Sequence, residues 1–195
     1  SRGLGDVYKR QARGISHMSH VSCLMLMQVN TGATVSELAG LGRDDVFLDN
    51  NIPFIRIQPH DWRQLKNNNS RPRDIPLVGV SLAATRHAFK AFASLDHLFP
   101  MYIHELDDGS LITRSESASA AINKITKSLS DGKTSYSFRH SLVNRLVRSG
   151  CPLEVHYQIT GHALGSVNEK HYNRSQWPIE DKRRWLERIG VMAGL

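Results

Sequence analysis

The stretch "VSCLMLMQVNTG" constrains this chain more than any other. Ile15, Met18, Val21, Leu24, Met25 and Met27 recur through residues 14–29, which predicts a buried helix. The run is too short to span a bilayer. Asn30-Thr31-Gly32 supplies its stop, with Gly32 suited to a left-handed C-terminal position. A buried helix needs other elements to cover it, and 195 residues at 40% hydrophobic composition give a single soluble domain room for such a core.

The covering elements are legible in outline. "TVSELAGL" predicts a short helix. Val46 and Leu48, the turn Asp49-Asn50-Asn51, then Ile55 and Ile57 predict two strands. The polar stretch "RQLKNNNSRPRDIPL" closes on Ile75-Pro76-Leu77, the end of a third strand. "SLAATRHAFKAFASLDHLF" reads as a helix with Ser81 as its N-cap. Further helices are expected at roughly 116–130, 135–150, 153–160 and 166–172. A last helix has Pro178 near its start and Gly190 past its end. The fold class is therefore mainly α with a small antiparallel β-sheet (α+β), without repeats or a second domain.

In "SYSFRHSLVNRLVRSG" the apolar positions Phe138, Leu142, Leu146 and Val147 predict one buried helix face. Arg139 and His140 sit beside it in the first turn, where backbone N–H groups and the helix dipole favour an anion. Solvation of Arg139, or pairing to a carboxylate, is the plainer alternative. The formal net charge of +7 and pI of about 9.7 favour a polyanionic partner, nucleic acid first and an anionic membrane surface second. Cys23 and Cys151 show no metal spacing and fit buried thiols in a reducing cytosol, so the cytoplasm is the expected compartment. "SRGLGDVYKRQ", residues 1–11, reads as translated adapter sequence or a disordered start, which places the domain at 12–195.

Taken in order, "TGATVSELAGLGRDDV", "LKNNNSRPRDIPL", "SFRH", "ITGH" and "HY" resemble the tyrosine recombinases of the phage-integrase type. The resemblance runs from about Gly14 to the C-terminus and is to the catalytic domain alone, with the N-terminal core-binding region absent. It implies a site-specific recombinase that cleaves and rejoins DNA through a 3′-phosphotyrosine, integrating or excising a prophage or other mobile element. Double-stranded DNA and other protomers on paired sites, a tetramer when assembled, are the implied partners, and no metal or nucleotide cofactor is implied.

Carried over residue by residue, the resemblance makes Tyr172 the nucleophile and Arg139 the second catalytic arginine. His162 donates to the scissile phosphate and Lys66 protonates the leaving oxygen. Arg71 and Arg73 contact backbone phosphates, and His140 supports the same DNA-facing turn. Tyr157 is structural. Two positions depart from the pattern. Tyr136 stands where a histidine is usual, and Thr34 stands where the first catalytic arginine belongs, a position to which Arg43 is poorly placed to contribute. Glu37, the acidic residue of that motif, is then expected to lack its usual partner. The C-terminal "EDKRRWLERIG" carries Trp185, Leu186 and Ile189 either for a neighbouring protomer or for its own domain. A relic that binds DNA without cutting, a type IB topoisomerase and an unrelated basic scaffold are the rival readings; the ordered motifs disfavour the last two.

Overall fold

Ser19 opens α1 (His20–Thr31), the first helix among the described residues, in the computed structural model, which describes residues 18–65, 72–129, 132–162 and 177–192. The Ser19 hydroxyl accepts the Ser22 N–H at 3.2 Å, and Gly32 closes the helix at φ 62° with its N–H donated to Gln28 O. Cys23, Leu24 and Met27 have no exposed surface, as the apolar run predicts. α2 (Val35–Ala39) follows at once. Its N-cap is Thr34, whose hydroxyl accepts the Glu37 N–H at 3.3 Å while Glu37 Oε2 accepts the Thr34 N–H at 2.8 Å. This reciprocal capping fixes Thr34 and Glu37 against each other.

Strands β1 (Val46–Phe47), β2 (Phe54–Ile57) and β3 (Arg73–Pro76) form an antiparallel sheet in the order β1-β2-β3. Ile55 pairs with both Val46 and Ile75 on the buried face. Arg56 and Asp74 form a half-exposed ion pair at 2.8 Å, worth less than about 1 kcal/mol. The register sets Arg73 opposite Ile57, at the first position of β3. Leu48 lies beyond the end of β1.

α3 (Gly79–Ala91) corrects one expectation, because its N-cap is Val78. Ser81 sits inside the first turn, where its hydroxyl accepts the Val78 N–H and donates to Val78 O at 2.8 Å. The helix also stops before "SLDHLF": Ser94 Oγ accepts the His97 N–H at 3.0 Å, and Leu98 and Phe99 turn into the core. A hairpin of β4 (Ile103–Glu105) and β5 (Leu111–Thr113) follows, which the sequence did not reveal because three-residue strands are too short to show alternation.

Among the described residues the remaining α-helices are α4 (Ser115–Leu129), α5 (Tyr136–Arg148), α6 (Leu153–Thr160) and α7 (Ile179–Ile189). On α5, Leu142 and Leu146 are fully buried and Phe138 partly so, but Val147 is 59% exposed. One residue past Leu146 is a rotation of about 100°, which carries Val147 off the buried arc. α1 packs between α3 and α5. α7 lies on its own domain, with Leu186 buried and Trp185 and Ile189 packed against the core. Its end is held by Arg145 Nη1, which donates to Ile189 O at 2.8 Å. Fully buried Asn30 both accepts the Val191 N–H and donates to Val191 O.

Cys23 is buried and Cys151 half-buried, and burial pushes their thiols up to about 12 and about 11. Among the described residues no helix is long and apolar enough to cross a membrane. The helix expected at 166–172 and residues 1–11 lie outside the described residues.

Candidate active site

Arg139 lies in the first turn of α5 and is only 7% exposed. Its Nη1 donates to Gly32 O at 2.7 Å, so the left-handed residue that ends α1 also seats the guanidinium. Burial lowers its pKa, which Glu37 and the Tyr136 phenol partly offset; an arginine starts high enough to stay charged at neutral pH. Above it opens a groove of about 500 Å³, lined by Thr34, Ser36, Asn123, Tyr136 and Arg139 among others. Tyr136 is half exposed, and its ring meets His140 edge-on at 4.7 Å. His140 is exposed one turn on, where it also lines a second, basic groove with Lys133, Arg145 and Arg148.

His162 follows Gly161, which ends α6 in the left-handed region at φ 71°. A Cβ built on Gly161 would stand 2.6 Å from Arg73 Nη1, so only glycine lets the turn close over Arg73. His162 Nδ1 lies 2.8 Å from the Thr160 hydroxyl. That hydroxyl donates its single proton to His156 O at 2.9 Å, so Nδ1 carries the ring hydrogen of the neutral imidazole and Nε2 can donate to a ligand only after taking up a proton. Burial, then the charge of Arg139, then those of His156, Arg73 and His140, lower the His162 pKa to about 4.

Arg73 is not where the sequence reading put it. It is 6% exposed and faces inward, away from any surface phosphate. Nη1 and Nη2 donate to the two Glu37 carboxylate oxygens at 2.8 and 3.0 Å, and Nε donates to Ile159 O at 3.1 Å. The first strand position points one way or the other across the sheet, and here the pleat turns it in. Glu37, expected to lack a partner, therefore has one. Burial alone would raise its carboxyl; the charge and hydrogen bonds of Arg73, the Thr34 N–H and the charge of Arg139 together hold it below the usual carboxylate value.

Arg63 and His156 were not singled out from sequence. Buried Arg63 donates to Glu37 O and Gln58 O, and its Nη2 lies 3.6 Å from buried Asp45. Asp45 also accepts from Gln58 at 2.8 Å and the Gly42 N–H at 2.9 Å, and meets His60 Nε2 at 2.7 Å. This network ties α2 to the chain leading toward position 66. His156 is buried with its ring 6.0 Å from that of His162, and burial, then Arg139, lowers its pKa. Its spacing from Ile159 and Thr160 on one face of α6 was the available signal.

Arg43 points elsewhere: Nη1 donates to Ser94 O and the guanidinium lies 4.4 Å over the Phe89 ring. Thr34 brings one hydroxyl and no charge to the groove. The fold thus brings together Thr34, Tyr136, Arg139, His140 and His162, while Tyr172, Lys66 and Arg71 lie outside the described residues. Such an arrangement, cationic and rich in N–H donors beside an open groove, can hold a phosphate-like anion.

Comparison with known structures finds the same architecture. An integrase from mycobacterium phage Brujita superposes with a TM-score of 0.60 at 15% identity, over 92% of this chain and 55% of that one. XerA recombinase matches with a TM-score of 0.55 at 19% identity, over 92% and 61%. The Tn1549 transposon integrase, solved with transposon right end DNA, matches with a TM-score of 0.53 at 15% identity, over 98% and 66%. The chain thus spans between about half and two thirds of the length of each. No curated protein sequence matches it. Residues 9–177 match the phage integrase family, and the chain belongs to that family, with the fold of a tyrosine recombinase catalytic domain.

Proposed function

We propose that the chain is a site-specific recombinase that cuts and rejoins duplex DNA for integration or excision of a prophage or other mobile element. The observation that carries this reading is Arg139: a buried guanidinium beside an open groove, hydrogen-bonded to a backbone carbonyl and not to a carboxylate. A cation so placed is stabilised further by an anion in the groove, and its planar fork suits two phosphate oxygens.

In this reading the Tyr172 phenolate oxygen attacks the scissile phosphorus, and the bond from phosphorus to the 5′-oxygen breaks. Lys66 delivers a proton to that leaving oxygen. Arg139 holds the non-bridging oxygens, and His162 joins it once the bound phosphate draws a proton onto its Nε2, with the Tyr136 phenol beside them. A second 5′-hydroxyl reverses the attack and releases the tyrosine. Basic Lys133, His140, Arg145 and Arg148 line the second groove and suit the flanking DNA backbone, as Arg71 does from the segment after Lys66. Recombination requires several protomers, a tetramer on paired sites.

Thr34 favours a second reading, a relic that grips DNA without cutting, because a neutral hydroxyl already engaged as a helix cap supplies no charge. Covalent capture on nicked duplex DNA separates the two. An adduct resolved on a denaturing gel and lost in Tyr172→Phe supports the recombinase. Salt-dependent binding without adduct, with the adduct restored in Thr34→Arg, supports a recombinase crippled at position 34; no adduct even in Thr34→Arg supports a module that only binds DNA.

A further inference from the structure

Glu37 is a buried carboxylate whose field reaches two guanidiniums, those of Arg73 and Arg139. A buried carboxylate takes the nearest available cation, and the cation it takes no longer presents a net charge to a ligand. Arg73 occupies both Glu37 oxygens at 2.8 and 3.0 Å, whereas Arg139 makes its hydrogen bond to Gly32 O. We propose that Arg73 is a positioning residue that keeps Arg139 free for phosphate by holding Glu37 in a closed, two-bond pair.

Three features fit Arg73 for this task. It is planar and bidentate, so neither carboxylate oxygen is left toward Arg139. It is anchored from outside the pair, by Nε to Ile159 O at the end of α6 and by the close approach of Gly161, so it cannot swing away with Glu37. It is 6% exposed and so does not compete for the DNA itself. Thr34 supplies no cation to Glu37, and Arg63 reaches only its backbone carbonyl, so among the described residues the side chain of Glu37 forms its ion pair with Arg73 alone.

The inference rests on the reading that Arg139 contacts DNA phosphate, and the test separates the two. Binding of a nicked duplex is measured across a salt series for the 195-residue chain in the Tyr172→Phe background, which blocks cleavage. In Arg73→Met, Glu37 turns to Arg139. The slope of log affinity against log salt then shrinks by about 0.9, one phosphate contact, and affinity falls about tenfold at low salt. Adding Glu37→Gln removes the competing charge and restores both. Should Arg73→Met fail to fold, Glu37→Gln is compared with Glu37→Gln plus Arg73→Met, and the expected difference in affinity is less than about threefold. An unchanged slope in folded Arg73→Met overturns the inference, as does a tenfold loss that persists with Glu37→Gln. Absence of binding by the chain with Arg73 and Glu37 intact overturns the functional reading, and this inference with it.

Discussion

Thr34→Arg is expected to make the protein less stable and faster at forming the covalent adduct on nicked duplex DNA. Thr34 caps α2 through the hydroxyl that accepts the Glu37 N–H. Arginine cannot cap this way, and loss of a threonine cap costs about 1 kcal/mol. For a domain of this size that is a fall in Tm of about 2–4 °C. Glu37 is already paired to Arg73, so the new guanidinium is not drawn inward and stays in the groove beside Tyr136 and Arg139. One preorganised donor on the phosphate is worth ~10²–10³ in rate. Thr34→Ala serves as the control, with the same loss of stability and no gain in rate. Thermal unfolding reads the first effect and the rate of adduct formation on nicked duplex the second. A Thr34→Arg protein that binds DNA as before but forms adduct no faster than Thr34→Ala would refute the claim that position 34 faces the reacting phosphate.

Two further outcomes are expected. His20, His97, His156 and His162 all have pKa values lowered first by burial, from an ordinary 6.5 and to about 4 for His162. The unfolded chain therefore binds more protons between those limits, so stability is full above about pH 6.5 and falls as the pH drops toward 4; urea midpoints that stay constant from pH 7 to 5 would contradict this. Leu142 is fully buried, and its Cδ2 lies 2.6 Å from the place a Cβ on Gly32 would occupy. Leu142→Ala should cost about 2–5 kcal/mol by urea unfolding, and should slow adduct formation by loosening the Gly32 carbonyl that seats Arg139.

The sequence by itself determined the three-stranded sheet, most of the helices and the family, but not the β4–β5 hairpin. The apolar run of α1 and its Gly32 stop, the short α6, and Pro178 and Gly190 around α7 are local signals, set by side-chain periodicity and backbone freedom over a few residues. The ordered motifs likewise named Arg139 and His162, which the fold sets within reach of each other's charge from two different helices. Only the tertiary structure decided what each charge faces. Arg73 and Arg71 look alike in a polar stretch, yet the pleat of β3 and its pairing with β2 turn Arg73 inward onto Glu37. Thr160 and His156 acquire meaning only where α6 ends against α5. Val147 differs from the sequence reading by one residue of helical phase, and the N-cap of α3 by three residues, Val78 in place of Ser81; both are set by the neighbours a helix packs on. Periodicity is written along the chain, but pairing of buried charges depends on which distant residues share a low-dielectric interior, and that is settled only when the chain closes.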